Sequence, residues 1–119
     1  MKADNLIQEK SYAFALRTVK LYRHLTAGKK EFVLSKQLLR CGTAIGANVE
    51  EAIGGQSRAD FISKISIAYK EARETCYWLR LLKDSDFLAL REFESMIADA
   101  DELCRILSKI ITTTKKPTP

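Results

Sequence analysis

The residues best placed to do chemistry are a strip of cations near the start of the chain and a short polar set downstream. Lys2, Lys10, Arg17, Lys20, Arg23, Lys29 and Lys30 stand against only Asp4 and Glu9 in residues 1–30. The excess of +5 therefore resides there, since the remainder carries thirteen charges of each sign. At 100° per residue, Lys2, Lys10, Arg17, Lys20 and His24 fall within an arc of ~80° of one helix. Such an array suits phosphates, because each phosphate it neutralises releases condensed counterions. The same pattern also describes an ordinary solvated helix face. No recognition-helix signature, RNP-like aromatic motif or zinc finger occurs, so any nucleic-acid binding should follow charge and shape rather than base sequence.

The second set centres on Asn48, which lies on an apolar stripe with Glu50 and Glu51 beside it. A buried Asn without partners costs ~1–3 kcal/mol. Arg40, Asn48, Glu51, Glu71 and Glu74 are therefore expected to form a structural polar network that fixes helix register, with Arg73 and Thr75 as further partners. A catalytic or ligand carboxylate is the competing reading.

Enzymatic constellations are not found. A di-iron bundle needs Glu-x-x-His motifs on two helices, and the single histidine, His24, belongs to none. That also leaves no histidine-based triad, and there is no glycine-rich phosphate loop. Cys41, Cys76 and Cys104 lack C-x-x-C spacing and sit on apolar stripes, as reduced core thiols do. The expectation is a protein without catalytic residues, metal or cofactor.

The elements that must position these residues follow from periodicity and punctuation. Both prolines, Pro117 and Pro119, lie at the extreme end, so nothing earlier breaks a helix by proline. Ala27-Gly28-Lys29-Lys30, Gly54-Gly55-Gln56 and Asp84-Ser85-Asp86 divide the chain into four, with Gly28 as the expected C′ residue of the first helix. Ser57-Arg58-Ala59-Asp60 resembles a capping box with Asp in place of Glu.

Helices are expected over about 5–25, 32–53, 59–83 and 88–111. Their core faces are Ile7, Phe14, Thr18, Leu21 and Leu25; then Leu34, Leu38, Cys41, Ile45, Asn48 and Ala52; then Phe61, Ile65, Ala68, Ala72, Cys76, Leu79 and Leu82; and last the heptad seam Leu90, Phe93, Ile97, Ala100, Cys104, Leu107 and Ile111. Gly42 and Gly46 each cost ~1 kcal/mol inside a helix, which suggests a neighbouring backbone pressed against them. Short connections then give an all-α, antiparallel up-down-up-down four-helix bundle over residues 1–111, with 112–119 as a disordered tail. Two apolar columns are left over: Tyr12, Leu16 and Val19 on the first helix, and Met96, Leu103 and Ile110 on the fourth. They are expected to be an oligomer interface, with a thicker core as the alternative. No apolar run approaches a membrane span and no signal peptide is evident, so the expected compartment is the cytoplasm.

The stretch Leu39-Arg40-Cys41-Gly42-Thr43-Ala44-Ile45-Gly46-Ala47-Asn48-Val49-Glu50-Glu51-Ala52, together with residues 60–79 from Asp60-Phe61-Ile62 to Tyr77-Trp78-Leu79, resembles one bacterial family. These are the four-helix-bundle proteins encoded in intervening sequences of 23S rRNA genes, related to accessory variability determinants of diversity-generating retroelements. The resemblance runs from about Asn5 to Ile111, with Arg40, Asn48 and Glu51 at the family's most characteristic positions. It implies a non-enzymatic homo-oligomer, a ring-like pentamer; the retroelement relatives imply nucleic-acid contact through basic surfaces and a reverse transcriptase partner, and the location of the intervening-sequence members invites an rRNA target. The chain departs in its charge, modest beside the most basic relatives. A non-enzymatic bundle that binds structured RNA or DNA electrostatically is thus the leading reading. The other is an interaction adaptor that binds a partner enzyme through its apolar surface.

Overall fold

A computed structural model of the chain describes the backbone of residues 2–115 and the side chains of residues 5–115. Four helices follow one another: α1 (Lys2–Ala27), α2 (Leu34–Ile53), α3 (Arg58–Asp84) and α4 (Leu90–Lys115). Each packs on its neighbours in sequence and α4 returns to α1, with no diagonal pair of helices in contact among the described residues. This is a square, antiparallel up-down-up-down bundle. It brings the C-termini of α1 and α3 and the N-termini of α2 and α4 to one end. α4 continues four residues past the expected boundary, with the Thr112 hydroxyl donating to the Ser108 carbonyl at 2.9 Å. Residues 116–119 of the expected tail lie outside the described residues.

The core is built on heptad-spaced lines. In α1, Ile7, Phe14, Thr18, Leu21 and Leu25 are all buried as expected, and Ser11 joins them. In α2 the buried position is Val49 rather than Asn48, and Leu34 gives way to Ser35. In α3 the line runs through Ile65, Ala68, Ala72, Thr75, Leu79 and Leu82.

The fourth helix corrects the oligomer assignment. Met96, Leu103 and Ile110, expected between subunits, are buried within this single chain, Leu103 to 1% exposure. With Ala100 and Leu107 they form the true inner line, spaced 4–3–4–3. The expected seam is rotated towards α3: Phe93 lies under the Lys83 ammonium at 4.4 Å, and Phe93, Ile97, Cys104 and Ile111 are only partly buried. Leu90 points into solvent. A bundle helix touches two neighbours, so its apolar arc is wider than one seam, and the deepest positions lie at the middle of that arc.

Gly42 and Gly46 do what their cost implied. A Cβ on Gly42 would stand 2.7 Å from Thr18 Cγ2 and 2.8 Å from its Oγ1; one on Gly46 would stand 3.3 Å from the Ser11 carbonyl oxygen. α1 therefore lies directly on the small-residue face of α2. The hydroxyls at this contact are satisfied within α1: Thr18 donates to the Phe14 carbonyl at 2.9 Å and Ser11 to the Gln8 carbonyl at 3.3 Å.

Capping differs from expectation at one joint. Ser57 accepts from the Asp60 amide at 3.0 Å, the expected start of α3. Gly28, however, does not take the left-handed conformation that ends α1; Lys30 does, at φ 55°. In the α3–α4 loop at the same end of the bundle, Asp86 (φ 67°) closes α3 in a Schellman arrangement: Asp86 N–H donates to the Lys83 carbonyl at 3.1 Å and Phe87 N–H to the Leu82 carbonyl at 2.9 Å.

Candidate nucleic-acid interface

The cationic strip of α1 divides into two parts with different surroundings. Lys10 and Arg17 face α4. The Lys10 ammonium is 3.1 Å from Glu102, and Arg17 is 2.5 Å from Asp99 while also donating to the Ser95 hydroxyl at 2.7 Å. Their charge is locally neutralised, so these two expected phosphate contacts act instead as ties between helices. Lys20, Arg23, Lys29 and Lys30 are exposed and make no ion pair among the described residues. The side chain of Lys2, the remaining expected contact, lies outside the described residues.

Below the Arg17 tie the α1–α4 seam opens into a groove of about 600 Å³, lined by Arg17, Lys20, Leu21, His24, Arg91, Glu92, Ser95 and Met96. Arg91 enters from the start of α4, 71 positions after Lys20, and only the closed square of helices puts it there. No pattern in the sequence marks it. At the same end of the bundle, Lys29 and Lys30 stand exposed in the α1–α2 turn and Lys36 in the first turn of α2. The acids at this end are Glu31, whose carboxylate is turned onto the amides that start α2, Glu92 in the groove, exposed Glu94 and Asp86, and Asp84, which pairs with Lys83 at 3.3 Å.

The expected polar network is real in part and divided. Arg40 spans from α2 to α3, bonding Glu71 at 3.2 Å and Glu74, whose carboxylate also accepts from the Trp78 indole at 3.0 Å. Asn48 is not in this network. It is only half-buried, and its amide donates to the Ala44 carbonyl of its own helix at 2.9 Å. Glu51 faces α3 as Arg40 does but lies about three turns further along α2, where it pairs separately with Lys64 at 3.2 Å. The reason is angular: Asn48 stands at the edge of the α2 stripe rather than its centre, where Val49 packs. The Thr75 hydroxyl donates to the Glu71 carbonyl at 2.8 Å, and its oxygen lies 3.2 Å from the Cys41 sulfur.

The cysteines are free thiols, but only Cys41 is a core thiol, with burial pushing its pKa up to about 11. Cys76 and Cys104 are half-buried neighbours across α3 and α4, and Cys76 also lies 3.6 Å from Asp101. The Cys76 thiol holds Cys104 below the ordinary thiol range against the effect of burial, with Arg73 and Arg105 adding to it. The same contact and burial raise Cys76. Among the described residues no group of three or more His, Cys, Asp or Glu is arranged to hold a metal ion, and no helix is long and apolar enough to cross a membrane.

A buried carboxylate, missed by periodicity, organises the loop into α2. Glu31 accepts from the amides of Val33 and Leu34 at 3.1 Å each and of Ser35 at 2.7 Å. Burial alone would raise its pKa, but the Ser35, Leu34 and Val33 amides outweigh it and the carboxyl is lowered overall.

Comparison with known proteins agrees with this architecture. The model of the family described as 23S rRNA-intervening sequence protein matches residues 3–109. A crystal structure from Bacteroides thetaiotaomicron VPI-5482, described as a protein with unknown function from the S23 ribosomal protein family, is similar at 50% identity and TM-score 0.91. The alignment covers 92% of this chain and 98% of that one. A search of curated proteins returns no match. On the family match across nearly the whole bundle, this chain belongs to the 23S rRNA-intervening sequence protein family.

Proposed function

We propose that this chain is a non-enzymatic, self-associating bundle that binds structured RNA through the basic end of α1. One observation carries the reading: Lys20, Arg23, Lys29 and Lys30 stand exposed without ion pairs among the described residues, and Lys20 lines a groove that also presents His24 and Arg91. Lys10, Arg17 and Arg40, by contrast, are committed to acids. The family's name, which ties its members to 23S rRNA genes, makes structured RNA the first polyanion to try, with DNA a weaker fit to that context. Binding of this kind is electrostatic, and its affinity falls steeply with salt.

A mobility-shift titration of a folded RNA hairpin at several salt concentrations tests the reading. Retardation at low salt is expected, lost on joint charge reversal of Lys20, Arg23 and Lys29 to Glu, but retained in a variant reversed at Lys10. A hairpin that never shifts at low salt, or shifts equally with the reversed protein, sinks it.

The self-association rests on the outward face of α1. Tyr12 is 65% and Leu16 49% exposed, with Val19 partly exposed beside them. A ring of five copies, as the family resemblance implies, would cover this column. Sedimentation of dilute protein should give a multiple of the 13.5 kDa chain, reduced by Tyr12→Glu and Leu16→Glu together. The same column favours the adaptor reading if the chain sediments as a monomer and copurifies with a protein, such as the reverse transcriptase implied by the retroelement relatives.

A further inference from the structure

The loop between α1 and α2 holds a large aromatic side chain in water. Phe32 is 58% exposed and Val33 72%. A helix start usually gives such residues structural work. The N-cap position commonly carries Ser, Thr, Asp or Asn, whose side chain takes an amide proton. An apolar residue just before the cap commonly packs against the fourth helical residue as a staple. Neither applies here. The N-cap is Val33, with no side-chain bond of its own. The fourth helical position is Gln37, whose side chain accepts from Arg40 instead at 3.2 Å.

The capping work has been moved one place upstream of the aromatic. Glu31 reaches forward to the Val33, Leu34 and Ser35 amides, and the Ser35 hydroxyl returns to the Glu31 carbonyl at 2.7 Å. Lys30 turns left-handed, and the Glu31 amide donates back to Leu25 at 3.0 Å. The backbone at Phe32 is thus fixed between two anchored residues, while most of its ring faces solvent. Exposed Lys29 and Lys30 precede it, and exposed Lys36 follows.

We propose that this loop is a stacking site for an unpaired nucleotide, with Phe32 against the base and Lys29, Lys30 and Lys36 on the flanking phosphates. The surrounding charge selects a polyanion, and the aromatic face selects one whose rings are accessible. A base in an RNA loop or bulge meets both conditions; a base inside a duplex does not. The inference rests on the electrostatic RNA reading above and specifies which part of the RNA is held. The backbone that carries the aromatic is already ordered, so little loop-ordering entropy is lost on contact.

The test uses the full chain and two probes of equal phosphate count, an oligouridine single strand and a blunt RNA duplex, measured by fluorescence anisotropy. Phe32→Ala should weaken the single strand roughly tenfold, within the range of base–aromatic stacking, and leave the duplex within about twofold. Phe32→Leu should behave as Phe32→Ala, because it keeps the apolar bulk without the π-face. Phe32→Trp should bind as tightly as the parent, with quenching of indole emission beyond that of Trp78 alone. The proposal is overturned if Phe32→Ala binds the single strand like the parent, or weakens both probes equally, or converts an oligomer to a monomer on sedimentation. If reversal of Lys29, Lys30 and Lys36 to Glu abolishes both complexes while Phe32 variants change nothing, stacking fails and the electrostatic reading stands. If the parent binds neither probe at low salt, both fail. Circular dichroism of each variant guards against misfolding, which an exposed position should not cause.

Discussion

α1 meets its two neighbours in different ways. Against α2 the contact is backbone on small residues, with Thr18 over Gly42 and Ser11 over Gly46, and no room for one added methyl at the first of these. Against α4 the contact is made by long side chains, Arg17 to Asp99 and Ser95, and Lys10 to Glu102, and below them the seam parts into a groove. The first interface gains dispersion and excludes water, so it is intolerant of volume. The second is a set of half-exposed ion pairs, each worth little and weakened by salt. A bundle built this way keeps α1 fixed on α2 while leaving the α1–α4 side accessible, and Lys20 and Arg91 lie on that accessible side.

The largest effect should come from filling the tight side. Gly42→Val puts a branched side chain where even a Cβ collides with Thr18, a residue that is itself buried and branched. Overpacking of this kind costs ~3 kcal/mol or more, well beyond the helix propensity that Val gains over Gly. Urea denaturation should show a large drop in midpoint. Thr18→Ala should recover part of the loss in the double variant, since it removes both atoms closest to the new side chain. A Gly42→Val protein as stable as the parent would mean that the two helices are not in this contact.

Next is the joint that carries α1 into α2. Glu31 uses both carboxylate oxygens on amides, so Glu31→Gln leaves an NH2 group facing N–H donors. The expected loss is ~1–2 kcal/mol at neutral pH. The sign with pH follows from the lowered carboxyl: the unfolded chain binds the proton more readily than the folded one. The Glu31 contribution is therefore complete above the ordinary value of 4.5 and disappears as pH falls through the lower folded value. Parent and variant should differ in urea midpoint at pH 7 and converge in acid; a constant gap would refute the assignment.

The two sides of α1 were also unequally legible in sequence. The buried line of α1 and the paired glycines of α2 could be read because each depends on spacing within one helix. The α4 assignment failed because two apolar columns, one through Phe93 and Cys104 and one through Met96 and Leu103, are equivalent until a partner's position decides which is central. The ion pairs of Lys10 and Arg17 were read as free cations for the same reason, their acids lying more than seventy residues away. Asn48 shows that a polar residue one step from a stripe's centre need not be buried. Glu31 and Phe32 escaped because periodicity says nothing about a loop in which a side chain caps the helix from two residues before its N-cap.

The open side should yield smaller changes. Arg17→Ala removes a cross-helix tie whose partners are both more than a third exposed. The loss should be at most ~1 kcal/mol and should shrink towards zero in high salt. Thermal melts of Arg17→Ala, Asp99→Ala and the double variant at low and high salt give the coupling directly. A coupling that survives high salt undiminished would place this pair in a drier, stiffer interface than the groove beside it implies.

The smallest effect should come from the tight side again, one step along. At Gly46 an added Cβ meets the Ser11 carbonyl oxygen at 3.3 Å, against 2.7 Å for the Thr18 methyl at Gly42. Accommodating it requires the α1 backbone to recede by a few tenths of an ångström. That cost is opposed by the ~1 kcal/mol that Ala gains over Gly inside a helix. Gly46→Ala should therefore leave stability within ~0.5 kcal/mol of the parent, while Gly42→Ala is clearly destabilised despite the same propensity gain. If the α1–α2 contact were uniformly close, both alanines would cost alike. The difference between them, read from paired urea melts, measures how far α1 diverges from α2 between Thr18 and Ser11.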